Sequence, residues 1–169
     1  MVQSNLERMM QLAEKVFAVK DDPEQLDVDQ DVIERLRRLH PATVSVQEDA
    51  NGPVAWVLVI PTTMELMSRF LGKEISEKEL FELTPAVSEY EAVYLCSALV
   101  LDEYRRKGIA GKLALSAIEQ IRRDHPLKAL FVSTFTEEGD LAAQAVARKV
   151  GLPLYKRLKD SSVGPEPIQ

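Results

Sequence analysis

Arg105, Arg106 and Lys107 stand in a row and are followed by Gly108, Ile109 and Ala110. Three cations and a glycine at this point are suited to holding an anion, because of what flanks them. The residues before them, Ala92 to Leu101, form an apolar run that reads as a strand. From Arg105 to Asp124 the pattern turns helical. Ile109, Leu113, Ala117 and Ile121 make a core stripe, with Ala110, Ala114 and Ile118 beside it. A helix N-terminus offers unpaired backbone N–H groups and a partial positive charge, which together seat a phosphate. Gly108 lets the backbone approach such a ligand closely. Basic side chains at that end oppose the helix dipole, so three in succession imply a bound anion that compensates. The dinucleotide pattern GxGxxG and the nucleotide pattern GxxxxGK[ST] are both missing.

The rest of the chain supplies the elements that position this turn. Ser4 and Glu7 make a capping-box pattern ahead of Leu6, Met9, Met10, Ala13, Val16 and Phe17, which recur at helical spacing. Val32, Ile33, Leu36 and Leu39 mark a second helix that stops at His40-Pro41. Thr43 to Gln47 and Val54 to Ile60 read as two strands of a hairpin turned at Asn51-Gly52. The patterns Thr62/Glu65 and Ser76/Glu79 introduce two short helices, the second ended by Thr84-Pro85. After the long helix, closed by His125-Pro126, Leu130 to Phe135 reads as a strand. Asp140 is placed to cap a helix that stops at Gly151, and Pro153 to Leu158 forms a last strand. The order predicts an α/β (α+β) fold with a mixed sheet. Residues 1–160 are expected to form one domain, and 161–169, with Pro165 and Pro167, a loose tail.

Composition narrows the function classes. The chain of 169 residues carries a net charge of −6, an argument against nucleic acid as the main partner. One cysteine, Cys96, allows neither an internal disulfide nor a zinc cluster, so the cytoplasm is the expected compartment. The first residues lack a signal-peptide layout. The longest apolar run falls far short of the ~20 residues of a membrane helix, so no membrane partner is expected. His40 and His125 lack metal-site spacing, and no metal is expected.

The stretch from Arg105 to Ala110 resembles the acetyl-CoA motif of the GNAT superfamily of N-acetyltransferases. That motif is Arg/Gln-x-x-Gly-x-Gly/Ala after a strand and a short turn. Arg105, Gly108 and Ala110 fill its defined positions, and Asp102-Glu103-Tyr104 supply the lead-in. In detail the resemblance covers about residues 92–123, and in element order about residues 43–158. It implies a central mixed sheet flanked by helices that splays open beside the strand, with a helical insert between the third and fourth family strands. It also implies acetyl-CoA or another acyl-CoA as cofactor. Backbone groups of Ala98, Leu99 and Val100 would pair with the pantetheine arm. The loop Arg105, Arg106, Lys107, Gly108, Ile109 and Ala110 would hold the pyrophosphate.

The implied activity is transfer of an acetyl (acyl) group to an amine by direct attack on the thioester. The alternative is an acyl-CoA-binding sensor or interaction module without catalysis. It arises because the family's later motif is altered. Asp140 replaces its asparagine, Leu152 its phenylalanine, and Ala147 the tyrosine that often protonates the leaving thiolate. Tyr155 or Tyr94 are candidates for the missing acid. The backbone N–H of Val100 is the candidate oxyanion donor. Glu91 is a candidate base, with Glu65, Glu137 and Glu138 as others. Cys96, in an apolar strand, is expected to be a small buried hydrophobe.

The acceptor is expected to be a small-molecule or peptide amine. In the family the segment between the first two helices borders the acceptor cleft. Here it holds Asp21, Asp22, Glu24, Asp27, Asp29 and Asp31, so a cationic acceptor is expected. Nothing in the sequence fixes the oligomeric state.

Overall fold

The structure is a computed structural model, and it describes residues 3–20, 26, 29–133, 137–157 and 167–168. Among the described residues the α-helices are α1 (Asn5–Lys20), α2 (Gln30–Leu39), α3 (Met64–Leu71), α4 (Glu77–Leu83), α5 (Ile109–Asp124) and α6 (Glu137–Val150). The strands are β1 (Val44–Asp49), β2 (Gly52–Thr62), β3 (Ala92–Val100), β4 (Ala129–Val132), β5 (Leu154–Lys156) and β6 (Pro167–Ile168).

The strands lie side by side in chain order. β1, β2 and β3 pair antiparallel, whereas β3, β4 and β5 run parallel. β6 returns antiparallel on β5, so the tail joins the sheet at Pro167 and Ile168. Parallel neighbours require crossovers, and α5 and α6 are the two that make them. Both crossovers advance in the same direction across the sheet. A common right-handedness therefore puts both helices on one face. There Ala114, Ala117, Ile118 and Ile121 of α5 and Ala143, Val146 and Val150 of α6 pack on Val57, Val59, Val93, Leu130 and Leu154. Arg122 of α5 also donates to the carbonyl of Val150 at 2.7 Å, which satisfies the C-terminal end of α6.

The opposite face belongs to α2, α3 and α4. Leu36, Leu66, Met67, Phe70, Leu80 and Phe81 cover Leu58, Ile60, Tyr94 and Phe131. Phe70 sits edge-on to Tyr94, with ring centres 4.9 Å apart, and to Phe131 at 5.7 Å. Because β2 is covered on both faces, its sequence is a continuous apolar run rather than an alternating one. A third cluster joins Met9 of α1 to Val54, Ala55 and Leu101.

Local signals in the sequence account for most boundaries. The box Ser76/Glu79 forms in both directions, each bond at 3.1 Å. At α3 the cap is Thr63, not Thr62: Thr63 accepts from Leu66 N–H. Thr62 is buried at the end of β2 and binds the Thr84 hydroxyl at 2.8 Å, so it is unavailable as a cap. The largest difference concerns α5. It begins at Ile109 rather than Arg105. Arg106 and Gly108 have φ of 66° and 75°, and left-handed residues interrupt a right-handed helix. Residues 102–104 form a 3₁₀ turn instead.

Candidate acyl-CoA cleft

β4 accompanies β3 for only four residues. The ladder runs from Ala92/Ala129 to Leu95/Val132 and ends there, while β3 continues to Val100. At the parting point β3 carries a bulge. Leu95 faces Val59 and Ser97 faces Leu58, which leaves Cys96 as the extra residue. A bulge bends a strand and increases its twist. Between the parted strands lies a cleft of about 360 Å³. Its floor is Leu95, Cys96, Ser97 and Ala98, backed by Val57 and Val59. One wall is Ala110, Gly111 and Ala114 of α5, and the other is Gly139, Ala142, Ala143 and Val146 of α6.

The backbone of β3 faces this space in a definite pattern. Leu101 N–H donates to Val54 carbonyl at 2.9 Å, so residue 101 turns its backbone toward β2. Alternation along an antiparallel ladder then gives Leu99 the same orientation, opposite Trp56. Ala98 and Val100 turn their N–H and C=O groups the other way, into the split. The expectation that all three backbones face the cleft is therefore corrected for Leu99, whose ladder bonds go to β2.

The N-terminus of α5 opens on the same cleft. α2, α3 and α4 each have a side-chain cap, from Asp29, Thr63 and Ser76. Gly108, the N-cap of α5, supplies none. Its carbonyl takes the first helical bond, from Lys112 N–H at 3.0 Å. The N–H groups of Ile109, Ala110 and Gly111 precede that bond and have no intrahelical acceptor. A Cβ at Gly108 or at Gly111 would meet nothing within 4 Å, so both positions border open space. This space, walled by small residues and edged by unpaired donors, fits a narrow chain ending in phosphates.

The turn before α5 is tied down at two points. Tyr104 donates to Asp49 Oδ2, while Asn5 and the N–H of Asn51 donate to Asp49 Oδ1 at 2.8 and 2.7 Å. The Tyr104 hydroxyl, followed by the Asn51 N–H, lowers the Asp49 pKa below the usual carboxylate range. Glu103 binds Arg8 of α1 at 2.6 Å. Lys107 lies over the Tyr104 ring, 5.3 Å from its centre. Arg105 lines the cleft and has Asp102 3.8 Å away. With α5 beginning at Ile109, the three cations occupy the turn rather than the first helical turn. Their charge still adds to the positive end of the dipole.

The proposed catalytic side chains are not gathered at one point. Glu91 lies before β3, at the end away from the split, and its carboxylate pairs with Lys128 at 2.7 Å. About nine strand residues separate it from Val100, roughly 30 Å at strand spacing. Glu91 is thus corrected to a residue that closes the β3–β4 ladder. Glu65 and Glu137 are exposed, and the side chain of Glu138 lies outside the described residues. Tyr94 is fully buried and donates to Glu77 Oε2 at 2.6 Å. Burial, reinforced by Glu77, raises its pKa well above the usual tyrosine value, so it holds its proton as a core residue. Tyr155 is half-buried on β5, on the α3/α4 face.

The altered motif on α6 has a structural reading. Asp140 pairs with Lys156 and fastens α6 to β5. It lies within α6 rather than capping it. Ala147 is buried in the core shared by α5, α6 and the sheet, where Leu152 also packs. Asp21, Asp22, Glu24 and Asp27, four of the acids behind the expected cationic acceptor, lie outside the described residues. Asp29 caps α2, accepting from Val32 N–H at 2.9 Å, and Asp31 is in the first turn of α2.

Sequence reasoning missed Gly111, Ser97 and the α6 wall. The small residues at 110, 111 and 114 and at 139, 142 and 143 are the available signal. Close helix packing produces the same pattern. The bulge that brings Cys96 and Ser97 together leaves no mark in an apolar run.

Among the described residues no group of three His, Cys, Asp or Glu could hold a metal, and no helix is long and apolar enough to cross a membrane. A mixed sheet split beside an uncapped helix N-terminus defines the class: an α/β protein that can hold a phosphate-bearing chain at a strand edge. The chain belongs to the acetyltransferase (GNAT) family, whose model matches residues 6–152. It is an N-acetyltransferase of that family, and the family's members use acetyl-CoA or another acyl-CoA. Among curated proteins no sequence matches it significantly. It is similar to an aminoglycoside acetyltransferase from an uncultured soil metagenomic sample, solved with trehalose. That likeness has 16% identity, a TM-score of 0.46, and covers 95% of this chain and 89% of the other. It is also similar to the apo aminoglycoside antibiotic 6′-N-acetyltransferase of Acinetobacter haemolyticus. There the identity is 14% and the TM-score 0.42, over 100% of this chain and 97% of the other.

Gly111 offers a test of the cleft that leaves the fold intact. Gly111→Ala should stabilise α5 by about 0.5–1 kcal/mol, since alanine is the better helix former. Gly111→Leu should keep the fold and weaken CoA binding at least about tenfold, since its side chain enters the cleft. Chemical denaturation and calorimetric titration of both variants measure this.

Proposed function

We propose that the cleft binds an acyl-CoA and that the acyl group, acetyl in the first instance, passes to an amine by direct attack on the thioester. The observation that carries this reading is the uncapped N-terminus of α5 opening into the split where Ala98 and Val100 present unpaired backbone groups. The pyrophosphate would rest on the N–H groups of the turn and first helical residues, from Arg106 to Ala110, beside the charges of Arg105, Arg106 and Lys107. The pantetheine arm would run along β3 from that end, pairing first with Val100 and then with Ala98.

This order bears on the oxyanion donor. Val100 lies nearest the pyrophosphate seat. The thioester, at the far end of the arm, would lie deeper along β3. Ala98 has the next N–H facing the split and lines the cleft. Ala98 therefore suits the developing oxyanion better than Val100. The amine would approach from the α3/α4 face, because α5 and α6 wall the other. Cys96 packs toward that face, and the bulge directs Ser97 to the same side. Attack forms the C–N bond and breaks the C–S bond, and the amine proton leaves through solvent or a nearby hydroxyl. Tyr155 is the proposed donor to the thiolate, as a half-buried hydroxyl on this face. Ser97 is the nearer substitute.

Two variants examine binding and chemistry separately. Gly108→Glu should remain folded, because its side chain meets open space, although the left-handed backbone costs about 1–2 kcal/mol. It should lose calorimetric CoA binding, and unchanged affinity would remove the basis for the cofactor seat. Tyr155→Phe should lower kcat for CoA thiol release roughly 10- to 100-fold, with the KM for acetyl-CoA unchanged. An unchanged kcat eliminates Tyr155. Tight CoA binding by the parent protein without turnover on any amine would favour a binding module over an enzyme.

A further inference from the structure

Arg157 lies on the face from which the amine would approach. Along β5, Lys156 points to the α6 side, where it meets Asp140. Tyr155 and Arg157 fall on the opposite side, with α3. The N–H of Arg157 donates to the carbonyl of Val132 at 2.8 Å. Val132 is the residue whose pairing with Leu95 ends the β3–β4 ladder, so Arg157 is anchored at the vertex of the split. Its guanidinium lies over the Phe70 ring, 4.5 Å from the ring centre, and the residue is half-buried.

No carboxylate among the described residues forms an ion pair with Arg157. Glu77, on this face, gives its oxygens to the Tyr94 hydroxyl at 2.6 Å and to Leu26 N–H at 3.0 Å. A guanidinium stacked on a ring keeps its N–H edge available. That edge matches a carboxylate or phosphate in a two-bond fork. Stacking also fixes the fork in place, so less entropy is lost when it binds.

We propose that Arg157 binds an anionic group on the acceptor, so that the acceptor is an amine carrying a carboxylate or a phosphate. The proposal rests on the acyl-transfer reading of the cleft. The anionic group takes no part in the bond changes. It orients the amine across the split, near Cys96 and Ser97, while the amide forms and the thiol departs. Arg157 is accordingly a specificity residue.

The test uses matched amines that differ only in the anion. α-Amino acids are compared with their C-terminal amides, and phosphoethanolamine with ethanolamine. Equilibrium binding to the protein saturated with CoA is measured for each member. The best anionic member should bind roughly 10- to 100-fold more tightly than its neutral partner. Arg157→Gln should abolish that preference without altering CoA affinity, and Arg157→Lys should restore part of it. Equal binding of both members in every pair overturns the proposal. So does a preference that survives Arg157→Gln, or no binding of any anionic amine. Thiol release from acetyl-CoA over the same panel tests transfer separately. An intact, Arg157-dependent preference without turnover would sink the acyl-transfer reading and leave the anion site standing.

Discussion

The parting of β3 from β4 beyond Leu95 and Val132 is the constraint on which the site depends. A sheet interior ordinarily pairs every backbone group, because an unpaired buried N–H or C=O is costly. Here the ladder stops while β3 runs on, and the groups of Ala98 and Val100 are left for another partner. The bulge at Cys96 fixes where this happens. It also sets the faces: Leu95 before it packs toward α5, whereas Cys96 packs toward α3. The cleft is thus a strand edge enclosed between two helices, and an extended chain with amide groups is its natural complement.

The second requirement is that the positive end of α5 stay aimed at that edge. Core packing fixes the axis, through Ala117, Ile118 and Ile121 against the sheet. The turn is fixed separately, by Tyr104 on Asp49 and Arg8 on Glu103. The Arg8–Glu103 pair is solvent-exposed and contributes little to overall stability, and the Tyr104–Asp49 bond is part-buried. Their effect is positional, since the left-handed residues Arg106 and Gly108 must hold their N–H groups in one arrangement for a phosphate to be recognised. Asp49 is held as a carboxylate below its ordinary pKa and Tyr104 is held protonated above its own. On the acid side, the tether weakens only when pH falls through the lowered Asp49 value and the carboxylate takes up a proton. At the alkaline end, the tether fails as pH rises through the raised Tyr104 value.

Much of this was legible in the residues. The strand, turn and helix from Ala92 to Asp124 follow from an apolar run, a basic turn with Gly108 and a helical stripe. The hairpin, the Ser76 capping box and the stop at Gly151 are local signals and appear where the sequence places them. Long-range matters were not legible. Whether Leu99 or Ala98 faces the split depends on register with β2. Whether Glu91 reaches the chemistry depends on which end of β3 opens. Arg157 carries no motif, and its placement follows from three strands being side by side. The start of α5 at Ile109 is not legible either, because two left-handed residues, one of them an arginine, interrupt a pattern that composition alone continues.

Amide hydrogen exchange, resolved by residue and recorded with and without CoA, tests the central claim most directly. Groups that bind the cofactor should slow when it is present. Protection is expected at Ala98 and Val100 and at the amides from Arg106 to Gly111. Leu99, already paired with Trp56, should change far less. Protection of Leu99 in place of its neighbours, or CoA binding that leaves the N-terminus of α5 exchanging as before, would contradict it.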